Sequence, residues 1–297
     1  MTSWGELRSR VRTELAAGGV EHAAVEARWI VERAGDTGDV AVGERAPALA
    51  VAHVEEMIER RIGGEPLQYV LGEWSFRGLD VMVDPRVLIP RPETEVTAEV
   101  AIEEATRLGV RVGRHDPWVG AATVRTVADL GTGSGVLALA LAASLPDVEV
   151  WATDLDPGAL ATARANLAGA GSLASRVRLA QGSWFEALSP DLRGALCLVV
   201  TNPPYVSEAE ATRLPREVRE HEPRAALVAG PTGFEAIATI IADAPGWLEP
   251  RGTLVLELAP HQAERAVVVA REVGFTHSEV RPDLAGRDRV LVARRGG

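Results

Sequence analysis

The sequence predicts an α/β fold: a doubly wound, mostly parallel seven-stranded sheet, preceded by a small helical domain and a β-hairpin linker. Three observations predict it. From Val124 onward short apolar runs alternate with helical patterns, as strand–helix–strand units do. A glycine-rich turn, Ala128-Asp-Leu-Gly-Thr-Gly-Ser-Gly-Val136, stands where the first run meets the first helical pattern. Ahead of Glu65, apolar residues recur at three- and four-residue spacing, the period of a helix face.

Taken in order, helices are expected over Trp4 to Leu15, Val20 to Ala34 and Ala48 to Ile62. Gly18-Gly19, Gly35 to Gly38 and Gly63-Gly64 break them, and Pro47 stands just ahead of the third. Tyr69 to Val83 is rich in β-branched and aromatic residues around Arg77-Gly78 and reads as a hairpin. A helix should start after Pro92, where Glu93 and Glu95 suit its positive end, and run to about Leu108. Gly113 to Ala121 reads as a loop. Strands are expected at Val124 to Leu130, Val148 to Thr153, Arg176 to Ala180, Ala195 to Thr201, Gly252 to Leu258, Thr276 to Val280 and Arg289 to Ala293. Helices fit between them at Gly135 to Ala143, Pro157 to Ala168, Gly233 to Ala244 and His261 to Val273. The last two strands have no helix between them, so one should lie antiparallel at an edge. The expected domains are residues 1–65, a hairpin and linker over 66–92, and 93–297.

Composition removes whole classes of chemistry. Of 297 residues, 31 are basic and all of these are arginine; with no lysine there is no phosphate-loop, Schiff-base or kinase lysine. One cysteine excludes a disulfide framework, and the six histidines form no metal-ligand spacing. The net charge of −11 argues against life on duplex DNA. Met1 to Arg12 has no apolar signal core, and Val136 to Ala143, the richest apolar stretch, is far short of the ~20 residues a membrane span needs. A cytoplasmic protein is expected.

Gly131, Gly133 and Gly135, with Thr132 and Ser134 between them, let backbone approach a ligand at the carboxyl edge of the sheet. Val136 replaces the last glycine of a dinucleotide fingerprint, and a phosphate loop would need lysine. Asp154 lies 23 positions after Gly131, close to the ~20-residue offset at which a carboxylate meets a ribose. An adenosine-bearing ligand without a pyrophosphate fits both, and S-adenosylmethionine fits best.

The second motif is Asn202-Pro-Pro-Tyr205, at the end of the expected fourth strand. Pro203 and Pro204 stiffen the loop and remove two N–H donors. What remains on offer is acceptors, the Asn202 side-chain oxygen and the Pro203 carbonyl, and the ring of Tyr205. Such a corner suits a planar –NH2 on a π-system, either a carboxamide or an adenine amine, aimed at an electrophilic methyl.

With both motifs in view the chain resembles the class I S-adenosylmethionine-dependent methyltransferases, and specifically the HemK-type protein-(glutamine-N5) methyltransferases of peptide chain release factors. Pro66-Leu-Gln-Tyr69 with Gly72, Leu88-Ile-Pro-Arg-Pro-Glu-Thr-Glu95 and Asp283-Leu-Ala-Gly-Arg-Asp-Arg289 carry the resemblance over nearly the whole chain. It implies a Rossmann-like fold whose helical domain helps hold a release factor, the Gly-Gly-Gln glutamine entering the Asn-Pro-Pro-Tyr site. It implies that Gly131 to Gly135 wrap the methionine portion of the cofactor, Asp154 its ribose, and that Trp184 packs near the adenine. Asn202 and Pro203 would hold the glutamine amide, with Pro204 and Tyr205 lining it. Ser183 stands where the family usually has an acidic residue. A cytoplasmic monomer binding release factors, with no membrane or duplex DNA among its partners, is the expectation. A ribosomal-protein glutamine methyltransferase, a nucleic-acid adenine-amino methyltransferase and a cofactor-binding regulator without turnover are the alternatives.

Overall fold

The computed structural model describes residues 2–35, 43–113 and 124–297. Of the expected loop Gly113 to Ala121 and the expected break Gly35 to Gly38, all but the first residue of each lies outside them. The chain divides into two compact units: Met1–Trp74 with Pro215–His221, and Ser75–Leu214 with Glu222–Gly297.

The first unit holds α1 (Trp4–Ala17), α2 (Ala23–Ala34), α3 (Ala48–Ile62) and α4 (Leu67–Leu71). A reciprocal cap starts α1: Ser3 Oγ accepts from Glu6 N at 3.3 Å and Glu6 Oε2 accepts from Ser3 N at 2.8 Å. Trp4, Leu7, Val11 and Leu15 then share one stripe and pack with Ala27, Ile30, Val54 and Met57. Arg61 Nε donates to Glu26 Oε2 at 2.6 Å, and its Nη1 lies 3.6 Å from Glu217, fastening Pro215–His221 to this unit. The expected hairpin Tyr69 to Val83 therefore begins later than its composition suggests. Pro66 starts α4 and Gly72, at φ 75°, supplies its left-handed stop, so Tyr69 to Leu71 are helical. The hairpin strands are β1 (Glu73–Phe76) and β2 (Leu79–Met82).

In the second unit α5 (Pro92–Arg107) precedes β3 (Arg125–Leu130), α6 (Val136–Ser144), β4 (Val148–Asp154), α7 (Pro157–Gly169), β5 (Val177–Gln181) and β6 (Leu196–Thr201). Short pieces follow: β7 (Val206–Ser207), α8 (Glu208–Ala211), α9 (Arg216–His221, in the first unit), α10 (Arg224–Leu227) and β8 (Val228–Gly230). The chain ends with α11 (Glu235–Trp247), β9 (Leu248–Glu257), α12 (Ala263–Glu272), β10 (Phe275–Pro282) and β11 (Asp288–Arg295).

The seven-stranded sheet has the order β10-β11-β9-β6-β3-β4-β5. Strands β9, β6, β3, β4 and β5 are parallel, and β11 is antiparallel to both of its neighbours. The antiparallel strand is thus one position in from the edge, and β10 takes the edge itself. Burial explains the exchange: Arg289 to Ala293 of β11 are all buried, whereas Thr276, His277 and Pro282 of β10 are exposed. Period-two alternation assigns the two faces of β9. Leu254 and Leu256 join the core that contains Ile237 and Ile241 of α11 and Ala266 of α12, while Thr253 and Glu257 hydrogen-bond Glu104 and Thr97 of α5.

The chain leaves β3 for β4 and β5 on one side and returns to β6 on the other. Ligands bind at such a reversal, outside the carboxyl ends of the strands.

Candidate active site

Leu130 is the register partner of both Thr153 and Thr201. The residues that follow these three, Gly131, Asp154 and Asn202, therefore share one edge of the sheet. Gly131 sits at φ 70°, and a Cβ there would lie 3.1 Å from the Trp184 ring, so both backbone and space demand glycine. The loop is held from beneath. Thr132 N donates to Thr153 O at 2.8 Å, Thr132 Oγ1 to Asp129 Oδ2 at 2.6 Å, and Gly133 N to Asp154 Oδ2 at 2.9 Å. Asn166 Nδ2 donates to Ser134 O at 2.8 Å and to Met82 O at 3.0 Å, tying loop and hairpin together.

The two carboxyl groups beneath this loop are both perturbed. Burial pushes Asp129 up to about 7, against hydrogen bonds from Thr132 and Ala138. Burial also raises Asp154, opposed by the N–H groups of Asp156 and Gly133. Trp184 adopts φ 43°, rare for so bulky a side chain.

Opposite stands the Asn202 loop. Asn202 Nδ2 donates to Thr94 Oγ1 at 3.1 Å, while Oδ1 is buried with no hydrogen-bond partner. An orphaned buried acceptor costs roughly 1–3 kcal/mol and marks a place for a donor from outside the fold. Pro203 is buried. Tyr205 packs against the core, and burial, then the charge of Glu257, pushes its hydroxyl up to about 12.

A cavity of about 390 Å³ opens at this edge. Gly131, Thr132, Gly133, Ser134, Asp154, Trp184, Asn202 and Pro204 line it; Gly135, Pro203 and Tyr205 do not. Among the described residues no His, Cys, Asp and Glu group is placed to hold a metal ion, and no helix is long and apolar enough to cross a membrane.

Known proteins are similar to this chain over most of its length. Residues 6–72 match the PrmC N-terminal domain family and residues 110–220 the methyltransferase small domain family. The release factor glutamine methyltransferase of Moorella thermoacetica is 41% identical over 287 residues, covering 95% of this chain and 94% of its own length. The protein of the same name from Deinococcus radiodurans is 38% identical, covering 98% of each chain. The chain belongs to the release factor glutamine methyltransferase family. In fold alone it is also similar to a crystal structure of a methyltransferase from Pyrococcus furiosus, with a TM-score of 0.50 at 17% identity, covering 75% of this chain and 92% of that one.

Several residues of this family member's site lie beyond the two motifs. Leu88, Pro90 and Thr94 line the cavity from the segment Leu88 to Glu95, which carries the family resemblance and the start of α5 but supplied none of the expected site residues. Pro223, Ala225 and Ala226 line it from a stretch with no motif at all. Gln262 was also missed. Its Nε2 donates to Tyr205 O at 3.0 Å and to Gly233 O at 2.8 Å, and its Oε1 accepts from Ala259 N at 3.0 Å, so one buried amide clamps the Asn202–Tyr205 loop.

Proposed function

We propose that the chain transfers a methyl group from S-adenosylmethionine to the side-chain amide nitrogen of the Gly-Gly-Gln glutamine in peptide chain release factors. The observation that carries this reading is the orphaned, buried Oδ1 of Asn202 at the rim of a cavity that the glycine loop and Asp154 also line. The residues present fit the donor: a carboxylate for ribose hydroxyls, a side-chain-free Gly131 under an aromatic ring, and a volume suited to a small ligand. When bound, S-adenosylmethionine supplies an electrophilic methyl on a sulfonium.

Gly131, Thr132, Gly133 and Ser134 would hold its methionine portion, with Gly135 shaping their turn from outside the cavity lining, Asp154 would hold its ribose, and Trp184 its adenine. Asn202 Oδ1 and the Pro203 carbonyl accept the two hydrogens of the glutamine –NH2. Its lone pair is delocalised into the carbonyl, so the nitrogen is a poor nucleophile, and fixing its hydrogens favours the pyramidal geometry of transfer. Pro204 and Tyr205 line the amide, and the first unit holds the rest of the release factor. The protein works as a cytoplasmic monomer.

A labelled-methyl assay that offers purified release factor, ribosomal proteins, DNA and RNA side by side tests this. Label on the Gly-Gly-Gln peptide, located by mass spectrometry, is expected. Label only in nucleic acid would mean an adenine-amino methyltransferase, whose acceptor needs the same corner. Label only in ribosomal protein would move the substrate without moving the chemistry.

A further inference from the structure

The amide of Asn202 has nearly the same shape whichever way it faces, so packing alone does not decide whether oxygen or –NH2 meets the substrate. Its partner, Thr94 Oγ1, does not decide either. A hydroxyl can accept from Nδ2, as it does here at 3.1 Å, or donate to Oδ1 of a turned amide. The deciding group is one layer deeper. Glu257 of β9 is fully buried; its Oε2 accepts from Thr97 Oγ1 at 3.0 Å, and Oε1 has no hydrogen-bond partner. The Thr94 hydroxyl lies beside the same carboxylate and favours its charged form.

We propose that Glu257 is a positioning residue that acts through Thr94: its carboxylate takes the Thr94 hydrogen, leaves the Thr94 oxygen only as an acceptor, and so keeps the oxygen of Asn202 toward the substrate amide. The proposal rests on the reading of Asn202 as the acceptor for the glutamine –NH2. An ionised carboxylate can only accept, which gives the chain of hydrogen bonds one direction. Protonated Glu257 could donate to Thr94 and release the Thr94 hydrogen to Oδ1. Asn202 would then turn its –NH2 toward another –NH2, and the corner would repel its substrate.

The groups facing this carboxylate are Glu93, Thr94 and Thr97 from α5, Arg289 from β11 and Tyr205 from the loop after β6. Burial pushes Glu257 up to about 7 against the two threonines and Arg289, with Glu93 adding to the rise. Neither a glutamine amide nor a sulfonium titrates near neutrality, so an acid limb in transfer reports on the protein.

The test measures transfer to purified release factor from about pH 5.5 to about pH 9, with donor affinity measured separately. In the wild type kcat should rise through about pH 7 to a plateau, as Glu257 ionises. Glu257→Gln and Thr94→Val should each lose roughly ten- to a hundredfold in kcat and show no acid limb, and Glu257→Gln, outside the cavity lining, should keep donor affinity. The double variant should be no worse than either single one, since both act on one path. Thr94→Ser, which keeps the hydroxyl, should recover most of what Thr94→Val loses. Without any substrate, the side-chain amide NMR signals of Asn202 should shift over the same pH range in the wild type and not in Glu257→Gln.

A folded Glu257→Gln with wild-type kcat, or an acid limb surviving in Thr94→Val, overturns the proposal. Should Glu257→Gln not fold, Thr94→Val decides alone, and wild-type kcat in it is the refuting result. Failure of the underlying reading looks different: the wild type itself transfers nothing to any release factor, and the proposal falls with it.

Discussion

Asp154 ends β4 and Asn202 directly follows β6, the strands on either side of β3, and both line one cavity, yet they are built for different moments of the reaction. Both oxygens of Asp154 already accept backbone hydrogen bonds, from Gly133 at 2.9 Å and Asp156 at 3.0 Å, which aim the carboxylate and leave one lone pair on each oxygen for a ribose. Asp154→Ala should therefore weaken donor binding by roughly ten- to a hundredfold, the range of one or two charged hydrogen bonds. Asn202 Oδ1 has nothing to accept until substrate arrives. Asn202→Ala should lower kcat by roughly a hundredfold or more while donor affinity stays within about twofold. Calorimetry of donor binding and single-turnover transfer separate the two. A parallel loss of binding and transfer in Asn202→Ala would mean that the loop shapes the donor pocket instead.

At the scale of elements, α5 is bolted to the sheet by one carboxylate. Glu104 accepts from Arg107 Nε at 2.8 Å, from Arg294 Nε at 2.9 Å and Nη2 at 2.6 Å, and from Thr253 Oγ1 at 3.2 Å. Burial alone would raise its pKa, but the hydrogen bonds and charges of Arg294 and Arg107 outweigh it and take the carboxyl down to about 2. Because the folded value lies below the ordinary 4.5, this stabilisation is present above that value and is lost as pH falls toward 2. Glu104→Gln should cost about 2–3 kcal/mol in urea unfolding near neutrality, and the gap to the wild type should close in acid. A constant gap at every pH would place the loss in packing. None of this was legible in the sequence, where Glu104 is one charge among several on a helix. The sheet was legible, because β3, β4, β6 and β9 are apolar runs that only a doubly covered strand can satisfy. Glycine spacing and the Asn-Pro-Pro-Tyr string likewise located the cavity, since backbone constraints are written in residue type. What could not be read depends on partners distant in the chain. Glu257 interrupts an apolar strand, and only its pairing with Thr97 makes sense of it. The stretch from Val206 to Gly230 has no periodicity because its pieces are too short to show one. The inner place of β11 follows from what covers it and not from its own residues.

For the whole molecule, the consequence of two units is that the hydrophobic cluster of the first shares no residue with the cluster that α11 and α12 form on the sheet of the second. Leu15 and Met57 belong to one, Ile237 and Leu256 to the other. The cavity is lined by residues of the second unit alone. Heat unfolding should accordingly resolve into two transitions, not one. Saturating S-adenosylmethionine should raise the transition of the second unit only, by about 2.7 kcal/mol at a hundredfold excess over the dissociation constant. Leu15→Ala, at a site with no solvent exposure, should lower the other by about 3 kcal/mol. Connectivity adds one qualification to this independence. The chain leaves the second unit after Leu214 and re-enters it at Glu222, directly ahead of Pro223, Ala225 and Ala226 in the cavity wall. Melting the first unit frees Pro215–His221 from Arg61 and leaves that wall tethered at one end fewer, so at a temperature where the first unit has melted in Leu15→Ala but not in the wild type, the variant should bind donor modestly more weakly. Calorimetry with and without donor checks both parts. A single transition, moved by ligand and by Leu15→Ala alike, would mean that the two cores fold as one cooperative body.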